Sequence, residues 1–172
     1  MPKRTHYLLL SALVIALDSW TKWLVLRSFD LHDSLVIIPG FFQLVHVRNT
    51  GAAFGIGANA GSAVVPLLLN LGAITVFVIV AIYSLRAALS DRILQSGLHL
   101  ILGGAVGNLI DRFRFGSVVD FLDVFIVVGG REHHWPAFNV ADSAICIGIG
   151  LLFLDMWKHP NREADREPAR GS

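Results

Sequence analysis

Four stretches of this chain are long and apolar enough to cross a lipid bilayer, and that limits its possible folds more than any other feature. They cover residues 7–26, 62–85, 93–110 and 138–157, and a spanning helix needs about 20 largely apolar residues. Composition points the same way: 54% of the 172 residues are hydrophobic and 16% charged, where a soluble domain carries about 25% charged residues. The mean hydropathy is +0.62. The expected fold is an all-α membrane protein of four transmembrane helices with a small extracytoplasmic subdomain of β-type or loop structure, forming a single membrane-embedded domain over residues 1–172.

The segments 35–47 and 118–128 are apolar but too short to cross, and they are interrupted by Pro39-Gly40 and by Asp120 and Asp123. They read as interfacial strands or re-entrant pieces. The first window continues to Leu26 with no small-x-small site after it, so it reads as a retained span rather than a cleaved signal. The charged tail from about residue 159 reads as disordered. Lys3, Arg4, Arg86, Arg92, Lys158, Arg162, Arg166 and Arg170 fall on one side of the membrane. By the positive-inside rule that side, with both termini, is cytoplasmic. A net charge of +1 excludes the basic balance that nucleic-acid binding requires. Cys146, in an apolar run, reads as a packing residue.

Ionisable groups within a span are costly, by at least ~2.5–3.5 kcal/mol, and each is therefore a candidate for function. Here they share one rim. Asp18 and Lys22 lie near the exit of the first window, Asn108, Asp111 and Arg112 at the exit of the third, and Asn139 and Asp142 at the start of the fourth. With antiparallel neighbours these ends meet at one face, where the loops carrying Asn49 and Asp120 also emerge. Asp155, at the other end of the fourth window, is expected to reach the interface. Asp18 and Lys22 are an i,i+4 pair, which reads first as a salt bridge between two partly buried charges. Arg112 can hold a carboxylate or a phosphate by bidentate bonds.

Asp120 sits in Val118-Val119-Asp120-Phe121, with apolar residues on both sides. Two carboxylates in a desolvated pocket cannot both ionise easily, so one keeps a proton while the other acts as base. Hydrolysis by an aspartate pair needs that asymmetry. Asp120 with Asp142 is one such pair, Asp123 competes for the same role, and structural pairing with Lys22 and Arg112 stands against both. A Ser/Lys nucleophile would need Lys22 beside Ser19 or Ser143, and Ser143 faces about 100° away from Asp142. His133-His134 lack the spacing of a metal site, so no metal and no cofactor are expected. The small-residue stretches around Gly51 and over 103–108 read as tight packing, or else as a shallow groove for an extended peptide.

Five stretches together resemble the lipoprotein signal peptidases, or signal peptidase II: Asp18-Ser19-Trp20-Thr21-Lys22; Arg48-Asn49-Thr50-Gly51-Ala52-Ala53-Phe54-Gly55; Gly107-Asn108-Leu109-Ile110-Asp111-Arg112; Val118-Val119-Asp120-Phe121; and Phe138-Asn139-Val140-Ala141-Asp142-Ser143. The resemblance implies an aspartic endopeptidase of the bacterial inner membrane. It would cleave diacylglyceryl-modified prolipoproteins before the lipidated cysteine, working as a monomer among membrane lipids and sensitive to globomycin. It also implies Asp120 and Asp142 as the catalytic pair. Asn49, Gly51, Gly104, Asn108, Arg112 and Asn139 would bind substrate, and Asp18, Lys22 and Asp111 would give structural support. The alternative reading is a small proton-coupled transporter or channel, whose relay would place ionisable groups at successive depths rather than at one rim.

Overall fold

The structure is a computed structural model that describes residues 3–50 and 64–160. Its helices are α1 (Arg4–Ser28), α2 (Val64–Arg86), α3 (Arg92–Phe115) and α4 (Val140–Lys158), and a four-stranded sheet is formed by β1 (Ser34–Ile38), β2 (Phe42–Asn49), β3 (Val118–Val128) and β4 (Arg131–His134). Among the described residues α1, α3 and α4 are each long and apolar enough to cross a membrane.

α3 is the central helix. It packs against α1, α2 and α4, and 67% of its apolar stretch is buried against 22% in α1 and α4. Lipid is as apolar as leucine, so nothing hydrophobic drives such helices together, and close contact between small residues does instead. A side chain on Gly97 would stand 2.9 Å from the Gly148 carbonyl oxygen, and one on Gly148 would stand 2.7 Å from that of Gly97. The α3–α4 seam therefore closes backbone against backbone. The outward faces carry Leu8, Leu9 and Leu13 of α1 and Ile147 and Phe153 of α4. Cys146 is also on the outside, so it faces outward rather than packing within the protein.

The other end of the bundle is tied by polar groups. Gln95, fully buried, donates to the carbonyls of Ser84 and Ala87 at 3.1 Å each and accepts from Ser84 Oγ at 3.2 Å. It thereby satisfies the carbonyls that the end of α2 leaves open. Asp155 lies near this end, buried, with its Oδ1 3.4 Å from His159 Nδ1.

The two short apolar segments fold as strands. The sheet has the order β1-β2-β3-β4 and is antiparallel throughout. A bulge between Leu44 and Val47 shifts the β2–β3 register so that Val47 faces Asp120, Arg48 faces Val119 and Asn49 faces Val118. The far edge of β3 holds the segment that enters α4: Phe138 O accepts from the N–H groups of Phe121 at 3.0 Å and Leu122 at 2.9 Å. α3 runs past its apolar window to Phe115, where Gly116 at φ 69° ends it, its N–H bonded to Arg112 O, a left-handed C-cap that glycine adopts without strain. Val119, completely buried, packs with Val25 and Phe121 and so seats the sheet on α1.

Candidate active site

β3 and the first turn of α4 deliver the two aspartates. Asn139 is the N-cap of α4, its Oδ1 accepting from Asp142 N–H at 2.9 Å and its own N–H donating to Asp142 Oδ2 at 3.3 Å. This reciprocal box fixes the Asp142 side chain at the helix start. The same Asn139 turns its Nδ2 outward and donates to Asp120 Oδ1 at 2.8 Å and to Asn108 Oδ1 at 3.2 Å. Asn108, one helix over, donates to Asp142 Oδ1 at 2.7 Å. Asn49, diagonal to Asp120 across the β2–β3 ladder, donates to Asp120 Oδ2 at 3.0 Å. Three amides from three elements thus hold the two carboxylates, each as a hydrogen-bond acceptor.

A buried ion cluster lies beneath this layer. Lys22 Nζ forms ion pairs with Asp18 Oδ2 at 2.8 Å and Asp111 Oδ2 at 3.0 Å and donates to Asn108 Oδ1 at 3.1 Å, three partners for its three N–H groups. Each carboxylate also fixes a backbone. Asp18 Oδ1 accepts from Ala141 N–H at 2.9 Å, in the first turn of α4, and Asp111 Oδ2 accepts from Val119 N–H at 3.0 Å. The cluster therefore positions both strands of chain that carry the aspartates, α4 through Asp18 and β3 through Asp111.

Asp120 is 2% exposed. Burial pushes its carboxyl from the ordinary 3.8 up to about 6; the hydrogen bond from Asn49 works against this, the nearby charge of Asp142 adds to it, and Asn139 and Lys22 pull it down. A carboxyl in that range can hold or release a proton near neutral pH, the poise an acid–base group needs.

The structure separates the two candidates on β3. Asp123 belongs to another group: Gln43 Nε2 donates to its Oδ2 at 2.7 Å, and His134 Nδ1 lies 2.9 Å from the same oxygen. His134, stacked on Phe125 and 3.3 Å from Glu132 through Nε2, has its pKa raised chiefly by the Asp123 hydrogen bond. This Gln43–Asp123–His134 cluster is absent from the sequence reading; no spacing rule links residues 80 positions apart. Among the described residues no group of three or more His, Cys, Asp or Glu is placed to hold a metal ion. Ser143 Oγ donates to Asn139 O at 2.9 Å and is tied to its own helix.

Gly104 stands in the α3–α4 seam, where the Ala141 carbonyl and Ile145 fill the place of its missing side chain, a contact of the tight-packing kind. Arg112 is half-buried at the end of α3, and no hydrogen bond or ion pair holds its guanidinium among the described residues. Gly51 lies outside the described residues, as does the tail beyond residue 160.

The profile of a family described as Signal peptidase (SPase) II matches residues 10–158. A protein of Syntrophotalea carbinolica named lipoprotein signal peptidase is 49% identical over 152 residues, covering 88% of this chain and 90% of that protein. One of the same name from Geobacter metallireducens is 42% identical over 165 residues, covering 95% and 97%. The fold is similar to that of a bacterial membrane enzyme solved by the in meso method at 2.3 Å resolution, with a TM-score of 0.76, 29% identity, and 95% of this chain and 94% of that one covered. A second such structure, at 1.9 Å, gives a TM-score of 0.73 and 30% identity, covering 88% and 92%. From its profile and its relatives alike, this chain belongs to the signal peptidase II family.

Proposed function

We propose that this protein is an intramembrane aspartic endopeptidase that removes signal peptides from diacylglyceryl-modified prolipoproteins, cleaving before the lipidated cysteine, with Asp120 and Asp142 as its catalytic pair. The observation that carries this reading is the amide bridge of Asn139 and Asn108, which ties two carboxylates from different elements into one buried site. Structural salt bridges would not need it, since Lys22 already has its three partners.

Asp120, the desolvated member, holds the proton, and Asp142 acts as base. Asp142 takes a proton from a water as that water attacks the scissile carbonyl carbon, and Asp120 gives its proton to the carbonyl oxygen. The tetrahedral diol then collapses: Asp142 passes its proton to the departing amine, and Asp120 recovers one from a diol hydroxyl. Both carboxyls end as they began. Asn49, Asn108 and Asn139 keep them aligned, and Arg112, with no ion-pair partner among the described residues, faces substrate. A globomycin-type inhibitor would compete with substrate at this site.

The topology that suits this chemistry has four spans, α2 included, both termini in the cytoplasm, and the site at the extracytoplasmic face of a bacterial inner membrane. There a substrate with two acyl chains reaches the site laterally as a lipid does, and a monomer suffices. No ligand chemistry at this site calls for a metal or a cofactor. The test is cleavage of a lipid-modified prolipoprotein in detergent by wild type, Asp120→Asn and Asp142→Asn, each checked for folding. Folded variants are expected to lose at least ~10²–10⁴-fold in turnover; near-normal turnover in either would falsify the pair.

A further inference from the structure

Arg48 lies next to Asn49 in β2, and the pleat turns successive side chains to opposite faces. Asn49 goes to Asp120; Arg48 shares the face of its ladder partner Val119, the residue packed on α1. On that face it meets the ring of Phe115, the last residue of α3, with its guanidinium carbon 4.6 Å from the ring centroid. Arg114 lies over the same ring at 5.2 Å. Neither arginine forms a salt bridge or hydrogen bond among the described residues. Two like charges gathered on one ring, with no ion-pair partner of their own among the described residues, make a site for an anion.

Its surroundings narrow the class of anion. Beside Phe115 and Arg114 a slot of about 60 Å³ opens between α1 and α3, lined by Trp23, Leu26 and Ile110, with Ser19 and the Lys22–Asp111 pair also bordering it. That is far below the roughly 300 Å³ of an ordinary ligand pocket. It has an apolar wall, a few polar atoms and a cationic mouth. Exposed Trp20 and Trp23 mark this level of α1, tryptophan being enriched where lipid headgroups begin, and Arg27 stacks on Trp23 at 4.4 Å. The planar fork of arginine suits a phosphate bidentately.

We propose that Arg48 and Arg114, gathered on Phe115, bind the phosphate of an anionic phospholipid whose glycerol end rests at the mouth of the α1–α3 slot. The site is separate from the catalytic pair: Asp18, Lys22 and Asp111 stand between α1 and α3, and the dyad lies beyond them at the α3–α4 end. A lipid held there would brace Phe115 and β2 and so the strand that carries Asn49.

The test is thermal unfolding of the delipidated protein in a neutral detergent, titrated separately with phosphatidylglycerol, dioleoylglycerol and inorganic phosphate. Phosphatidylglycerol is expected to raise Tm saturably, with its half-saturating concentration increased at least tenfold by Arg48→Gln/Arg114→Gln; Arg114→Gln alone, an exposed substitution, serves if the double variant does not fold. A rise equal with dioleoylglycerol, or unchanged in the variants, overturns the proposal. A rise produced equally by inorganic phosphate points to a free-anion site and overturns the lipid. Because the readout does not involve cleavage, a failure of the peptidase reading and a failure of this one are told apart.

Discussion

Asn139 Nδ2 stands 2.8 Å from Asp120 Oδ1 while Asn139 Oδ1 accepts the backbone N–H of Asp142 at 2.9 Å. A single amide thus performs a helix cap with one end and bridges to the second aspartate with the other. Its removal should act on both stability and rate. Asn139→Ala is expected to lower stability by about 1 kcal/mol for the lost cap and turnover by at least ~10²-fold for the lost alignment. Asn139→Asp keeps the cap's acceptor but turns an oxygen toward Asp120 Oδ1 and Asn108 Oδ1, and is expected to lose both Tm and turnover, with Tm recovering as pH falls and the new carboxyl takes up a proton. Paired melting and single-turnover assays separate the two effects; a variant that loses only Tm would show the amide to be structural.

Asp120 couples pH to stability. Its carboxyl is raised from 3.8 to about 6 in the folded protein, so the stabilisation from binding this proton is complete below pH ~3.8 and is lost as pH rises through about 6. The displacement corresponds to about 3 kcal/mol at most. His134 shifts stability in the same direction, so the contrast with Asp120→Asn is the informative one. Wild type should gain Tm on going from pH 8 to pH 5 by more than Asp120→Asn does, and equal slopes would place the proton elsewhere.

The same displacement bears on rate. If protonated Asp120 is the acid, kcat/KM of the free enzyme declines as pH rises past about 6. Asn49 holds that value down through its hydrogen bond, so Asn49→Ala is expected to move the alkaline limb to higher pH as it lowers the maximum. A limb that stays fixed would remove Asn49 from the proton's environment. The pH–rate profile is the measurement.

Lys22 neutralises two carboxylates at once. Lys22→Met leaves Asp18 and Asp111 buried and uncompensated and is expected to cost about 3–5 kcal/mol. Lys22→Met/Asp18→Asn should recover part of this, as read by unfolding in detergent; no recovery would mean that the pair is not coupled.

Gly107 faces the same cluster, and a side chain there would come 2.6 Å from Asp18 Oδ2. Gly107→Ala is expected to cost about 1–3 kcal/mol by displacing Asp18 from Ala141 N–H, although alanine favours helix by up to ~1 kcal/mol elsewhere. A variant melting above wild type would show that the carboxylate moves aside without loss.

Much of the site was legible because a bilayer leaves few options. A charge within a span needs a partner, and antiparallel spans bring Asp18, Lys22, Asn108, Asp111 and Asp142 to one rim whatever their detailed packing. The sequence by itself determined the helices, the shared polar rim and, through its motifs, the family. Only the tertiary structure decided which partners each aspartate meets. Asp120 and Asp123 share an apolar strand three residues apart, and only the motif resemblance, not periodicity or spacing, favours Asp120; the β2–β3 register and the Phe138 contact direct one to Asn49 and Asn139 and the other to Gln43 and His134. The burial of Asp155 was hidden for the same reason. Periodicity reports which residues prefer lipid or water, whereas contacts between residues far apart in the chain depend on how helices and strands settle against one another.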